Sequence, residues 1–131
     1  LQGTAWQLRA IQSMDDAQGT TQISEPQHYT IRFNAGGRLA LRLDCNRGMG
    51  TWQATPAADR SGALELGAVA GTRALCGPAS LDQKLVRDLP HVRSYVLKDG
   101  RLFMSLMADG GIYEWEEIRE EIREEIRDDM R

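Results

Sequence analysis

Apolar and polar residues alternate along most of this chain with a period of two, the pattern of strands that bury one face and wet the other. From Thr4 to Ile11, Trp6, Leu8 and Ala10 share a face. Tyr29, Ile31 and Phe33 alternate with Thr30 and Arg32, and Leu39, Leu41 and Leu43 alternate with Arg38 and Arg42. Between these two runs, Asn34-Ala35-Gly36-Gly37 predicts a hairpin connection, because glycine enters positive φ without a Cβ clash. Cys45 keeps the inward parity, Asn46-Arg47-Gly48 predicts a turn, and Thr51 to Thr55 predicts a strand with Trp52 and Ala54 on one face. Pro56, without an N–H for the ladder, is expected to end that strand. A loop over Ala57 to Gly62 then leads to a strand from Ala63 to Val69, with Leu64, Leu66 and Ala68 inward.

Farther on, Val92 to Lys98 and Arg101 to Met107 flank Asp99-Gly100, the strongest short-range hairpin signal in the chain. Leu102, Met104 and Leu106 alternate with Phe103, Ser105 and Met107, so this strand is apolar on both faces and is expected to be central or covered by a helix. Asp109-Gly110-Gly111 turns into a last strand, Ile112 to Trp115. Residues 13–27 carry little periodicity and many turn formers, and read as a surface loop.

The period changes twice. Leu81, Leu85, Val86 and Leu89 fall at i, i+4, i+5 and i+8, one helical stripe. Ser80 and Gln83 match a capping box at its start and Pro90 stops it, which predicts a helix over about 80–89 packed on the strands. The second change is at the end, where E-E-I-R occurs three times from Glu116 and D-D-M-R follows. Glutamate–arginine pairs at i,i+3 and strong helix formers predict a helical tail over 116–131. Its apolar positions, Ile118, Ile122, Ile126 and Met130, recur every four residues and drift about 40° per repeat on a helix of about 100° per residue. Such a stripe is a candidate surface for a partner protein or for oligomerisation; a solvated helix is the alternative.

Length and composition narrow the class. At 131 residues, 41% apolar and 27% charged, the chain is ordinary globular material for one β domain over 1–115 followed by the charged tail. Thirteen glycines favour short strands and many turns. The net charge of −3 is uneven: residues 116–131 hold eight acids and four bases, which leaves the body at +1. No basic footprint for nucleic acid is present, and no apolar run approaches the ~18 residues of a membrane span. A first residue that is leucine rather than methionine points to a processed or trimmed chain, with any signal peptide or lipid-attachment cysteine already removed.

Candidate chemistry is sparse. Ser94 and Ser105 have no histidine at a motif distance, and Asp15-Asp16 shows no metal-ligand pattern. No catalytic, cofactor or metal site is expected, and His28 and His91 read as surface or strand-end residues. Cys45 and Cys76 each end an inferred strand, 31 positions apart. A disulfide there would remove about 3–4 kcal/mol of chain entropy from the unfolded state and would require an oxidising compartment. Two buried free thiols are the alternative. Trp6, Trp52, Tyr95 and Phe103, set around a barrel interior, are candidates for lining an apolar ligand; filling the core is the competing role.

Trp6-x-Leu8, Phe33, Cys45-Asn46-Arg47-x-x-Gly50 and Thr72-x-x-x-Cys76, followed by the helix and closing hairpins, resemble the META domain family of HslJ-like bacterial proteins. The likeness spans about Thr4 to Trp115; the family pattern usually has glycine where Asp44 stands. It implies an antiparallel, calycin-like β-barrel or meander with one packed helix. It also implies a heat-shock or stress-related protein of the periplasm or outer membrane, often a lipoprotein held only through its N-terminus. Cys45, Asn46, Thr72 and Cys76 carry over as structural motif positions. The expected function is therefore a non-catalytic envelope domain that binds or scaffolds a partner. A small apolar-ligand carrier and an inhibitor of an envelope hydrolase are the alternatives.

Overall fold

The computed structural model describes residues 1–14, 19–108 and 110–119. Among the described residues, ten strands and one α-helix follow in the order β1 (Thr4–Gln12), β2 (Thr20–Gln22), β3 (Tyr29–Asn34), β4 (Arg38–Leu43), β5 (Asn46–Ala58), β6 (Ser61–Leu66), β7 (Ala70–Gly71), α1 (Asp82–Asp88), β8 (Val92–Lys98), β9 (Arg101–Leu106) and β10 (Ile112–Glu117). Eight of the strands form a closed antiparallel barrel in the order β1-β3-β4-β5-β6-β8-β9-β10, and β10 returns to pair with β1. Closure removes the exposed edges that an open sheet must otherwise protect. The short strands β2 and β7 extend the same wall, β2 pairing with β1 beyond β3 and β7 pairing with β5 beyond β6.

The inward residues are those the alternation selects. Leu8, Ile31, Phe33, Leu64, Leu102 and Met104 are fully buried, and Leu39, Leu41 and Leu43 nearly so. The Asp99-Gly100 hairpin forms with positive φ at both positions, as its two-residue turn requires. Trp115 lies opposite Leu8 on one neighbouring strand and Leu102 on the other. Its indole N–H is buried without a hydrogen-bond partner among the described residues. A buried donor left unpaired costs about 1–3 kcal/mol, while deleting a buried tryptophan costs about 3–5 kcal/mol, so its volume outweighs the lost bond.

Several expectations are corrected. The turn lies at Asp44-Cys45, just before the expected Asn46-Arg47-Gly48: Leu43 pairs with Asn46, and Asp44 takes a positive φ of 61°. Aspartate is among the few non-glycine residues that tolerate this region, which is why it can stand where the family pattern has glycine. β5 does not end at Pro56. The Gly67 N–H bonds the Thr51 carbonyl, so by alternation residues 53 and 55 direct their main-chain groups to β6, and Pro56 falls where no N–H is needed. Consequently the expected loop over Ala57 to Gly62 contracts to a tight turn, β6 starts at Ser61, and Ala68 lies beyond the strand and is exposed. The loop over 13–27 contains β2, and β10 runs past Trp115 to Glu117. The Ile118 N–H then bonds the Ala5 carbonyl. Glu116 and Glu117, expected to open a helical tail, are thus strand residues that close the barrel. The expected tail positions Ile122, Ile126 and Met130 lie outside the described residues.

The helix is shorter than its stripe predicted. α1 covers Asp82–Asp88 rather than 80–89, and the capping box does not form: Leu81 is the N-cap residue, and the Ser80 hydroxyl accepts from the Asp82 N–H. Leu85 and Leu89 are buried against the barrel, but Val86 is exposed. A 3-10 turn over Leu89–His91 follows, with Pro90 in its first turn. Two tyrosines rising from the barrel fasten this segment over one end. The Tyr29 hydroxyl accepts from the Leu81 N–H at 3.0 Å, and the Tyr113 hydroxyl donates to Asp88 Oδ2 at 2.6 Å.

The second contact perturbs both partners. Burial pushes the Tyr113 hydroxyl far above its ordinary value, and the bond to Asp88 and its charge push the same way. Burial would raise Asp88, but hydrogen bonds from Tyr113 and Lys84 and the charges of Lys84 and Arg87 outweigh it and leave its carboxyl lowered. A raised tyrosine contributes stability that is present below its unfolded value of 10.0 and lost as pH climbs above it; a lowered aspartate contributes stability present above 3.8 and lost on acidification. The urea midpoint of the protein is therefore expected to fall steeply above pH 10, and Tyr113→Phe should flatten that fall. At neutral pH the same variant should lose about 1.5–3 kcal/mol, the worth of a hydrogen bond to a charged acceptor.

Candidate functional site

One end of the barrel carries a cluster assembled from three distant parts of the chain. Asn46 begins β5 directly after the Asp44-Cys45 turn, and it is the one polar residue, aromatics aside, buried in the core among the described residues, at 4% exposure. A buried amide is tolerated only when its donors and acceptor are matched. The segment after β7 matches them. Asn46 Oδ1 accepts from the Thr72 hydroxyl and from the Ala74 N–H, both at 2.8 Å. Asn46 Nδ2 donates to the Ala74 carbonyl at 2.9 Å and to Asp82 Oδ2 at 3.1 Å, and lies 3.3 Å from Cys76 Sγ. Thr72 Oγ1 in turn accepts from the Arg47 N–H, and the Thr72 N–H donates to the Arg47 carbonyl, each at 3.0 Å.

Cys45 and Cys76 are joined by a disulfide with Cα atoms 5.5 Å apart. The bond ties the end of this segment to the same turn that Asn46 follows. The four motif residues Cys45, Asn46, Thr72 and Cys76 thus meet in one place. The signal in the sequence was the cysteine pair with its polar neighbours; the part played by Asp82 had none, since it enters only through the way α1 packs.

The clamped segment forms the wall of a groove of about 510 Å³ whose opposite side is α1. Leu43 and Asn46 contribute to its lining; Val69, Ala70 and Leu75 line one side, and Val86 and Arg87 the other. Gly71 belongs to this wall because a Cβ there would stand 2.3 Å from the Arg47 carbonyl oxygen, so only glycine lets β7 lie against β5. A second groove, about 420 Å³, lies on the other side of Cys76, with His28 3.2 Å from Glu25 and 3.4 Å from Asp44.

The aromatic candidates do not gather around either groove. Trp6 and Tyr95 are buried in the core cluster, with the Trp6 indole N–H donating to the Thr4 hydroxyl. Trp52 is half-buried, edge-on to Phe33 at 5.3 Å, and its N–H donates to the Asn34 carbonyl. Phe103 stands on the outward register of β9, between the buried Leu102 and Met104. Of the tail positions, Ile118 is half-buried beside β1.

A family model described as the META domain matches residues 1–116, which is all of the barrel but its last strand residue. The chain belongs to the META domain family. Among solved structures, this META domain is similar to an NMR structure of a protein from Burkholderia xenovorans, with a TM-score of 0.72 and 19% identity over 91% of this chain and 84% of the other. It is also similar to the crystal structure of a DUF4847 family protein from Bacteroides vulgatus, with a TM-score of 0.57 and 12% identity over 86% of this chain and 90% of the other. At these identities the likeness is one of fold. No curated protein matches the chain.

The META motif residues have a measurable structural role. Replacing both cysteines by serine should lower the unfolding free energy by about 3–4 kcal/mol, the entropy of the closed loop. Asn46→Ala, which leaves several buried groups unpaired, should cost about 2–4 kcal/mol. Because both changes release the same segment, urea denaturation of the triple variant should show a loss clearly smaller than the sum.

Proposed function

We propose that this META domain is a non-catalytic binding or scaffolding domain of the bacterial cell envelope, periplasmic or carried by a lipoprotein, and serves in a stress response. The observation that carries the reading is the Cys45–Cys76 disulfide, which ties the end of the segment lining the groove to the turn before Asn46. A thiol-reducing cytosol does not sustain such a bond, and Cys45 is exposed to any reductant. Binding is supported by a wall that a covalent bond and a buried amide hold in one shape before any partner arrives, which lowers the ordering cost of association. The stress role rests on the family likeness alone.

Two further readings have less behind them. For an apolar-ligand carrier, Trp6 and Tyr95 lie in the packed core, where an eight-stranded barrel has room for little besides its own side chains. For a hydrolase inhibitor, no described loop stands out as an insertion element. Nucleic acid fits poorly with a body of charge +1.

Compartment and redox state can be read together in the native bacterium. Cells are fractionated after alkylation with a maleimide polymer, with and without prior reduction. The expected result is protein in the envelope fraction that gains mass only after reduction. Ready alkylation without reductant in the cytosolic fraction would overturn the envelope reading.

A further inference from the structure

We infer that the groove between residues 69–75 and α1 docks an extended polypeptide segment in which acidic and apolar side chains alternate. This deepens the binding reading above and rests on it.

The first support is the way Asn46 sets the wall. Thr72 and Ala74 turn toward its amide, and Cys76 is bonded to Cys45 beside it. Held in this way, the strip leaves Arg73 and Leu75 exposed among the residues that line the groove. Leu75 is 91% exposed. One exposed leucine alone would mean nothing. Here Val86 is also exposed on the opposite side, and Val69 and Ala70 continue the apolar lining between them.

The second support is charge. Arg73 lines the groove and no ion pair reaches it among the described residues. Arg87, on the other wall, has its Nε 3.6 Å from Asp88 and a side chain 70% exposed. The groove's one lining carboxylate, Asp82, already accepts a hydrogen bond from Asn46. Asp82 keeps its charge, so the two arginines leave the lining with one positive charge in excess, which favours an acidic occupant.

The third support selects a polypeptide over an anionic amphiphile. The Thr72 N–H bonds Arg47 across the β5 ladder, so the neighbouring Gly71 directs its N–H and C=O away from β5. β8 pairs with β6 only at Ser61, Gly62 and Ala63, so no strand lies along β7 on that side among the described residues. An extended segment can add to such an edge through its main chain while pockets read alternate side chains. A volume of about 510 Å³ lies in the ~300–1,000 Å³ range of ligand sites.

The test uses a capped octapeptide alternating glutamate and valine, its lysine–valine counterpart, and vesicles of phosphatidylglycerol. Binding to the oxidised full chain is followed by fluorescence anisotropy, with amide chemical shifts locating the site. The glutamate peptide should bind saturably, shift Val69 to Leu75 and Val86, and bind at least tenfold more tightly than the lysine peptide. Arg73→Glu and Leu75→Ser, both at exposed positions, should weaken it at least tenfold, whereas Met107→Ser should leave it unchanged. Absence of saturable binding, equal affinity for the two peptides, indifference to the Arg73 and Leu75 variants, or binding of vesicles in place of peptide would each overturn the inference. A protein that is oxidised in the envelope but ignores the peptide overturns this inference alone. A reduced cytosolic protein that still binds the peptide overturns the compartment alone.

Discussion

The buried side chain of Asn46 is the joint on which the functional end of this barrel depends. An amide enclosed at 4% exposure must have partners, and here they come from the strip at Thr72 and Ala74 and from α1 through Asp82. One residue therefore sets the positions of two elements that the strand ladder does not hold. The disulfide ends the same strip and limits how far it can move. The covalent bond and the amide act on different states of the chain. The bond restricts the unfolded ensemble, while the amide chooses a single folded path for residues 72–76.

This arrangement also explains the irregular part of the barrel. β6 and β7 follow β5 along most of its length, but β8 pairs with only the first three residues of β6. The resulting gap is covered by α1 and the 3-10 turn after it, with Leu85 and Leu89 buried beneath. Tyr29 and Tyr113 fasten that cover from below through their hydroxyls. An aromatic ring in the core with a polar tip at the barrel mouth is well suited to this, because burial and a directed hydrogen bond come from one side chain. What remains between the cover and β7 is the groove, so the binding reading and the closure of the barrel have the same structural origin.

Much of the wall was legible in the chain. The alternation in β1, β3 and β4 named the core residues, since a half-buried strand repeats every two residues whatever it pairs with. Asp99-Gly100 announced its hairpin through the positive φ both residues accept. The misplaced features share one cause: local signals were read without their neighbours. Pro56 ends a strand only if its missing N–H faces a partner, and here it does not. Ser80 and Gln83 have a capping spacing, yet the Leu81 N–H is drawn to Tyr29, and the helix starts later. Glu116 and Glu117 favour a helix by composition, but closing the ring against β1 and β9 gives their main chain more than a helical turn would.

By itself, then, the sequence determined the inward and outward faces of several strands, the Asp99-Gly100 hairpin and the residues of the cysteine motif, because each follows from local stereochemistry or from a few neighbouring side chains. The tertiary structure decided that the strands close into a ring, that Asn46 reaches both Thr72 and Asp82, and that Arg73 and Leu75 face a groove. Those are contacts between parts of the chain 25 or more residues apart, and no local period encodes which distant groups will satisfy a buried amide.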